Sequence, residues 1–118
     1  MPTADPESFL PLTPATFHVL LALADDEKHG YAIMQEVAEN TDGQLRLGPG
    51  TLYGTIKRML ADGWIEESDE RPDPELDDER RRYYRLTDFG QKVARAEATR
   101  LARLVSEAKA KRLIAKSA

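Results

Sequence analysis

The chain has 118 residues, enough for one compact domain and short of two. It has no cysteine, which excludes disulfide scaffolds, cysteine-ligated zinc and thiol nucleophiles, and its two histidines, His18 and His29, are too few for a histidine-rich metal site, so neither metal nor cofactor is expected. The formal net charge of −4 argues, taken alone, against a nucleic-acid partner, because neutralising phosphates needs cations.

The first twelve residues, with Pro2, Pro6 and Pro11, are expected as a flexible arm. They are acidic and lack the basic segment of a secretory signal, and no apolar run approaches the roughly 20 residues of a membrane span, so a cytoplasmic protein with no membrane partner is expected. Thr13-Pro14 starts a first helix, a threonine cap followed by proline at the first helical position. Its body, TFHVLLALA over residues 16–24, is apolar nearly all round and is expected to be covered on two sides, by its own domain and by a second chain. His29-Gly30 opens a second helix over residues 31–40, with Ile33, Met34, Val37 and Ala38 on one face. Thr41-Asp42-Gly43 makes a turn, and Gly48-Pro49-Gly50 starts a third helix that runs to about residue 62, stopped by Gly63. Strands follow at residues 64–68 and about 81–86, separated by an acidic, proline-containing hairpin tip at residues 69–79. Thr87 caps a last helix that extends to about residue 114. Helix, helix, helix, strand, strand, long helix is the layout of a winged helix-turn-helix. The fold class expected is thus α+β, mainly α: a winged domain over residues 13–86 and a C-terminal dimerisation helix over residues 87–118.

The charge is unevenly distributed. Residues 66–79 hold nine acids and only Arg71, whereas Arg80, Arg81, Arg82 and Arg85 follow at once, and residues 92–118 hold eight bases against Glu97 and Glu107. A net-acidic chain can therefore still present a basic face.

The third helix has the pattern of a reading head. At about 100° per residue, Leu52, Ile56, Met59 and Leu60 make a core stripe, and Gly50, Thr51, Gly54, Lys57 and Arg58 fall opposite. Small residues allow close approach to base edges, cations suit phosphates, and a helix N-terminus offers free amides to an anion. Glycine in a helix interior costs about 1 kcal/mol relative to alanine, so Gly54 suggests a backbone brought close to something. A plain solvated face is the competing reading. Tyr53 lies at the stripe's edge, where it is either a core flank or a hydroxyl for phosphate.

Three segments carry a family resemblance: HGYAIMQEV (29–37), LGPGTLYGTIKRMLADGWI (47–65) and RRYYRLTDFGQ (81–91). Together they resemble the PadR-like family of transcriptional regulators, with the GTLY tetrapeptide and the strand-to-helix junction YYRLTDFG as the specific elements. The resemblance implies a dimeric winged helix bound to operator DNA, commonly a repressor released by a small ligand. It implies DNA contacts for Thr51, Tyr53 and Lys57, a backbone contact for Tyr31, and basic positions at Arg81 and Arg82 in the second strand. Two features depart from the family: Gly54 stands where proline often follows GTLY, and the hairpin tip is strongly acidic. The operator partner is expected as double-stranded DNA, with the sequence-specific contacts on the third helix.

In the last helix Ala94, Leu101, Ala108 and Ala115 recur every seven residues, and Leu104, Ala98 and Val105 widen the seam. Packing this seam and the first helix against their counterparts in a homodimer would bury both. Phe17, His18, Leu21, Leu101, Leu104 and Val105 line that space, either as a site for a small aromatic effector or as a plain dimer core. No enzyme is expected: GPGTLYGT lacks the Gly-Lys-Ser/Thr of a phosphate loop and has no strand before it. The alternative to a DNA-binding regulator is a winged-helix module that binds protein.

Overall fold

The computed structural model describes residues 5–68 and 82–115; the hairpin tip at 69–79, Arg80 and Arg81 lie outside the described residues. The four expected helices and two expected strands follow in the expected order, with one short strand added between the first two helices. Helix α1 spans Pro14–Ala24, α2 Gly30–Asn40, α3 Pro49–Ala61 and α4 Asp88–Ala110. Strand β1 is Lys28–His29, β2 Ile65–Glu67 and β3 Tyr83–Leu86. Among the described residues no helix is long and apolar enough to cross a membrane.

Local chemistry sets the helix ends. Thr13 accepts the Thr16 amide at 3.2 Å and Pro14 holds the first helical φ, so α1 begins where the sequence places it. The His29 Nδ1 accepts the Ala32 amide at 3.1 Å, an N-cap supplied by imidazole. Gly63, at φ 77°, ends α3: its amide reaches the Leu60 carbonyl at 3.2 Å and the Trp64 amide reaches Met59 at 2.9 Å. Helix α4 ends four residues earlier than expected. Arg112 takes a left-handed φ of 63°, and the Leu113 amide closes back on the Ala108 carbonyl at 2.9 Å, so the chain turns without a glycine.

The sheet has three antiparallel strands in the order β1-β3-β2, where the sequence reading has a two-stranded hairpin. The added strand is two residues long, pairing Lys28 with Tyr84 and His29 with Tyr83, too short for any alternation to show. On the other edge Ile65 pairs with Leu86 and Glu67 with Tyr84. Lys28 also joins three elements: its ammonium donates to the Ala22 carbonyl at the end of α1 and lies 2.7 Å from Asp25 and 3.4 Å from Glu36. Burial alone would pull the Lys28 pKa down, but Asp25 and Glu36 outweigh it and hold it above the usual lysine value.

Val19, Leu20, Ile33, Val37, Leu52, Ile56, Met59, Trp64, Ile65, Tyr84 and Val93 form one core. The side chains at this core come from every helix and from β2 and β3, and α3 is held in it by α1, α2 and β2.

Residues 5–12 correct the expectation of a flexible arm. Pro6–Phe9 form a single 3₁₀ turn capped by Asp5, and the Phe9 ring meets Trp64 edge-on at 5.3 Å and Phe89 at 6.0 Å. The Leu12 amide donates to the Glu97 carboxylate at 2.8 Å. Two aromatic contacts and one charge-assisted hydrogen bond give this segment a docking site between α4 and the end of α3.

Glu97 is 1% exposed, the one acid buried in the core of the described residues. The Arg100 guanidinium beside it holds its carboxyl below the usual glutamate value, against the opposing effect of burial and with help from the Leu12 amide. A carboxyl depressed in the folded chain adds stability above its unfolded pKa of about 4.3 and loses it as pH falls through the folded value. The native chain should therefore lose denaturant resistance below about pH 4.3 more steeply than Glu97→Gln, whose unfolding midpoint should be lower at neutral pH and flatter in acid.

Candidate nucleic-acid interface

Helix α3 turns one face to the core and the other outward. Leu52, Ile56 and Met59 are buried, and Gly50, Thr51, Gly54, Lys57 and Arg58 are all exposed. Gly48, the N-cap, supplies no side-chain hydrogen bond, so the first amides of α3 point outward without a capping partner. A Cβ built on Gly50 or Gly54 meets no atom within 4 Å. Among the described residues nothing requires glycine at either position, and none offsets the propensity penalty of Gly54.

The cations sit on opposite flanks of this face. Lys57 borders a cleft of about 470 Å³ between α3 and the sheet, lined also by Tyr53, Gly54, Glu67, Arg82 and Tyr84. Arg82 is half-buried there, 3.7 Å from Glu67, and Arg85 pairs with Glu66 at 2.9 Å, so the described part of the wing neutralises its own arginines. Arg58 borders the other flank, toward the N-terminal segment, where its guanidinium donates to the Thr55 hydroxyl at 3.4 Å. Tyr31, 52% exposed, stands at the first turn of α2 beside Gly30.

Of the two roles open to Tyr53, core flank or hydroxyl for phosphate, the geometry favours the first: the hydroxyl is buried, and a Cβ on Gly30 would fall 2.6 Å from it. The ring lies against the bare backbone at the start of α2. Tyr53 thus sets the spacing between α2 and α3, and Gly30 is the residue that makes room for it. Arg81 lies outside the described residues.

The residues expected at a dimer or effector space come together on α1 and α4, which pack side by side. Phe17, His18 and Leu101 are half-buried, whereas Leu21 is 41%, Leu104 49% and Val105 43% exposed. Beyond Leu101 almost every α4 side chain faces outward, so the C-terminal part of the helix projects from the domain with its apolar seam uncovered in a single protomer.

Glu97, Lys28, Gly30 and Gly90 carry weight that sequence reasoning missed. Glu97 shows only an i,i+3 spacing to Arg100, which reads as a surface pair. Gly90 lies one turn into α4, where a Cβ would stand 1.8 Å from the Trp64 carbonyl oxygen; only the TDFG spacing after the strand hints at it.

Comparisons with known proteins agree with this architecture. Residues 19–96 match the transcriptional regulator PadR-like family. A transcriptional regulator of Mycobacterium tuberculosis is 36% identical over 90 residues, covering 76% of this chain and 78% of that protein. An uncharacterized 37.1 kDa protein of a Streptomyces fradiae transposon is 40% identical over 86 residues, 73% of this chain but only 22% of that protein's length. The solved structure of a PadR family transcription regulator from Clostridium difficile superposes with a TM-score of 0.68 at 22% identity, covering 86% of this chain and all of that one, a likeness of fold. With its helix order, its sheet and the matched segment all in agreement, the chain belongs to the PadR-like family of transcriptional regulators.

Proposed function

We propose that this regulator binds double-stranded operator DNA as a homodimer, with the outer face of α3 in the major groove, and that it acts as a repressor released by a small effector. The observation that carries the reading is the open face of α3: Gly50 and Gly54 have free space above them, Lys57 and Arg58 flank them, and the N-terminal amides are uncapped. Glycine without an internal neighbour is what a helix needs where an outside surface must come close. Because Glu66 and Glu67 already pair with Arg85 and Arg82, α3 supplies most of the positive charge that the described residues offer at this face. Lys57→Ala should weaken binding to DNA from upstream of the regulator's own gene and reduce the slope of log affinity against log salt by about one. An unchanged slope would remove Lys57 from the interface. A native chain that binds no DNA even at low salt would favour the protein-interaction module instead.

The dimer reading rests on the uncovered seam of α4. Leu101, Leu104 and Val105, with Phe17, His18 and Leu21 of α1, supply apolar surface that a second copy would cover. A charge placed there would be buried without a partner, so Leu104→Glu should shift the sedimenting species to monomer and lower operator affinity, since two half-sites are then no longer held together. A Leu104→Glu chain that sediments as the native chain does would contradict this interface. A small aromatic effector would enter between the same residues, His18 being its polar contact.

A further inference from the structure

His29 belongs to two elements at once. Its backbone ends β1, paired with Tyr83 across the sheet, and its side chain caps α2, where the imidazole Nδ1 accepts the Ala32 amide at 3.1 Å. The imidazole also meets the Tyr83 ring edge-on, at 5.4 Å between centroids and 88° between planes. Histidine is not among the favoured N-caps, which are serine, threonine, aspartate and asparagine. Those four accept throughout the neutral range, whereas imidazole accepts only while Nδ1 keeps its lone pair. Once protonated, both ring nitrogens are donors, and a positive charge stands at the positive end of a helix. Acid therefore turns this cap from an attraction into a repulsion. What the cap holds is the part of α2 that meets the reading helix. Gly30 is buried against the Tyr53 ring of α3, and Tyr31, next in the same turn, is exposed.

We propose, on the DNA reading above, that His29 is a positioning residue of the DNA-binding surface: its neutral imidazole holds the first turn of α2 against α3, and its protonation weakens operator binding. The surrounding titratable groups do not mask this effect. Tyr83 from β3, Tyr31 from α2 and Tyr53 from α3 are phenols, and phenols stay neutral through the range in which histidine titrates. Lys28 precedes His29 in β1 and so points to the other face of the strand, where Asp25 and Glu36 hold it. On β3, Arg82 and Arg85 are taken up by Glu67 and Glu66. The sign of the effect is diagnostic. A histidine that simply touched phosphate would strengthen binding as it charged, and a histidine that acts through the cap does the reverse.

The test compares the native chain, His29→Asn and His29→Ala against the operator duplex at constant salt, at about pH 7.5 and about pH 5.5. Asparagine keeps an acceptor for the Ala32 amide and cannot be protonated in this range, and both variants lose the ring contact with Tyr83, so their difference isolates the cap. At the higher pH the native chain and His29→Asn should bind alike, with His29→Ala about fivefold weaker. At the lower pH the native chain should fall to the level of His29→Ala while His29→Asn holds. His18 is present in all three, so its own titration cancels. Parallel pH profiles for the native chain and His29→Asn would overturn the proposal, as would native binding that tightens in acid relative to His29→Asn. Hydrogen exchange reads the cap without DNA, because an amide this early in a helix has no intrahelical partner and the Ala32 amide is held by the imidazole. Its protection should drop in acid for the native chain and persist in His29→Asn. A drop in protection with unchanged operator affinity would keep the acid-labile cap and overturn its coupling to DNA. A native chain that binds no DNA at either pH would fail the DNA reading and the coupling with it, while the Ala32 exchange would still support or overturn the cap.

Discussion

Replacing Gly90 with valine should leave no folded protein at moderate temperature. The position is helical and its backbone φ is ordinary, so conformational freedom is not the issue. A Cβ there would lie 1.8 Å from the Trp64 carbonyl oxygen and 2.8 Å from its carbon, and both are backbone atoms that no rotamer change can move. This close approach is held from both sides. The Thr87 hydroxyl accepts the Gly90 amide at 3.0 Å and donates to the Gly63 carbonyl at 2.6 Å, while the Thr87 amide donates to the Trp64 carbonyl at 3.0 Å. To admit a side chain, α4 must lift away from the end of α3, stripping cover from Trp64 and Val93. Overpacking costs about 1–3 kcal/mol where neighbours can yield and more where they cannot, against a total stability of about 5–15 kcal/mol for a domain. Gly90→Ala should lower the urea midpoint sharply, and Gly90→Val should abolish the cooperative transition. A Gly90→Val chain with a native circular dichroism spectrum and melting temperature would refute this packing.

Gly54→Leu should do the opposite to stability and remove DNA binding. The added side chain meets no atom of the described residues within 4 Å of its Cβ, and leucine is a far better helix former than glycine. The variant should therefore melt slightly higher than the native chain, by roughly 0.5–1 kcal/mol of stability. At the DNA surface the same side chain would push α3 out of the groove, separating the helix N-terminus, Lys57 and Arg58 from their phosphates together. Loss of those contacts should reduce specific affinity by about 100-fold or more, read by anisotropy titration against the same duplex. The two glycines thus separate stability from function: one protects a contact inside the chain, the other leaves room for a contact outside it. A Gly54→Leu chain that binds DNA as tightly as the native one would show that α3 does not lie in the groove.

The periodic and capped parts of this molecule were legible in the sequence. Thr13-Pro14, Gly63 and Thr87 each act at the helix boundary where their chemistry places them. The outward face of α3 likewise follows from helical spacing, because Leu52, Ile56 and Met59 leave no choice about which side is buried. Contacts made across long sequence separations were not legible. Glu97 looks like one acid of a basic surface helix, and only the arrival of the Leu12 amide, 85 residues away, makes it a buried anchor. The same event turns a proline-dotted N-terminal segment into a docked strap, since its prolines say nothing about whether Phe9 finds Trp64. Tyr53 sits at the border of the core stripe, where a shift of about 20° decides between a hydroxyl in solvent and one against Gly30. Strand β1 has two residues and no pattern of its own; it forms because β3 offers an edge beside it.

The most direct test of the account is amide hydrogen exchange of the native chain with and without its operator duplex. The amides of Gly50 and Thr51 lie in the uncapped first turn of α3, ahead of the first intrahelical bond from the Leu52 amide to the Gly48 carbonyl at 2.9 Å, and should exchange fast in the free protein. On binding DNA they should be slowed strongly, together with the amide of Tyr31 at the exposed start of α2. Exchange at Gly50 and Thr51 that stays fast in a complex saturated with DNA would contradict the placement of α3 in the groove.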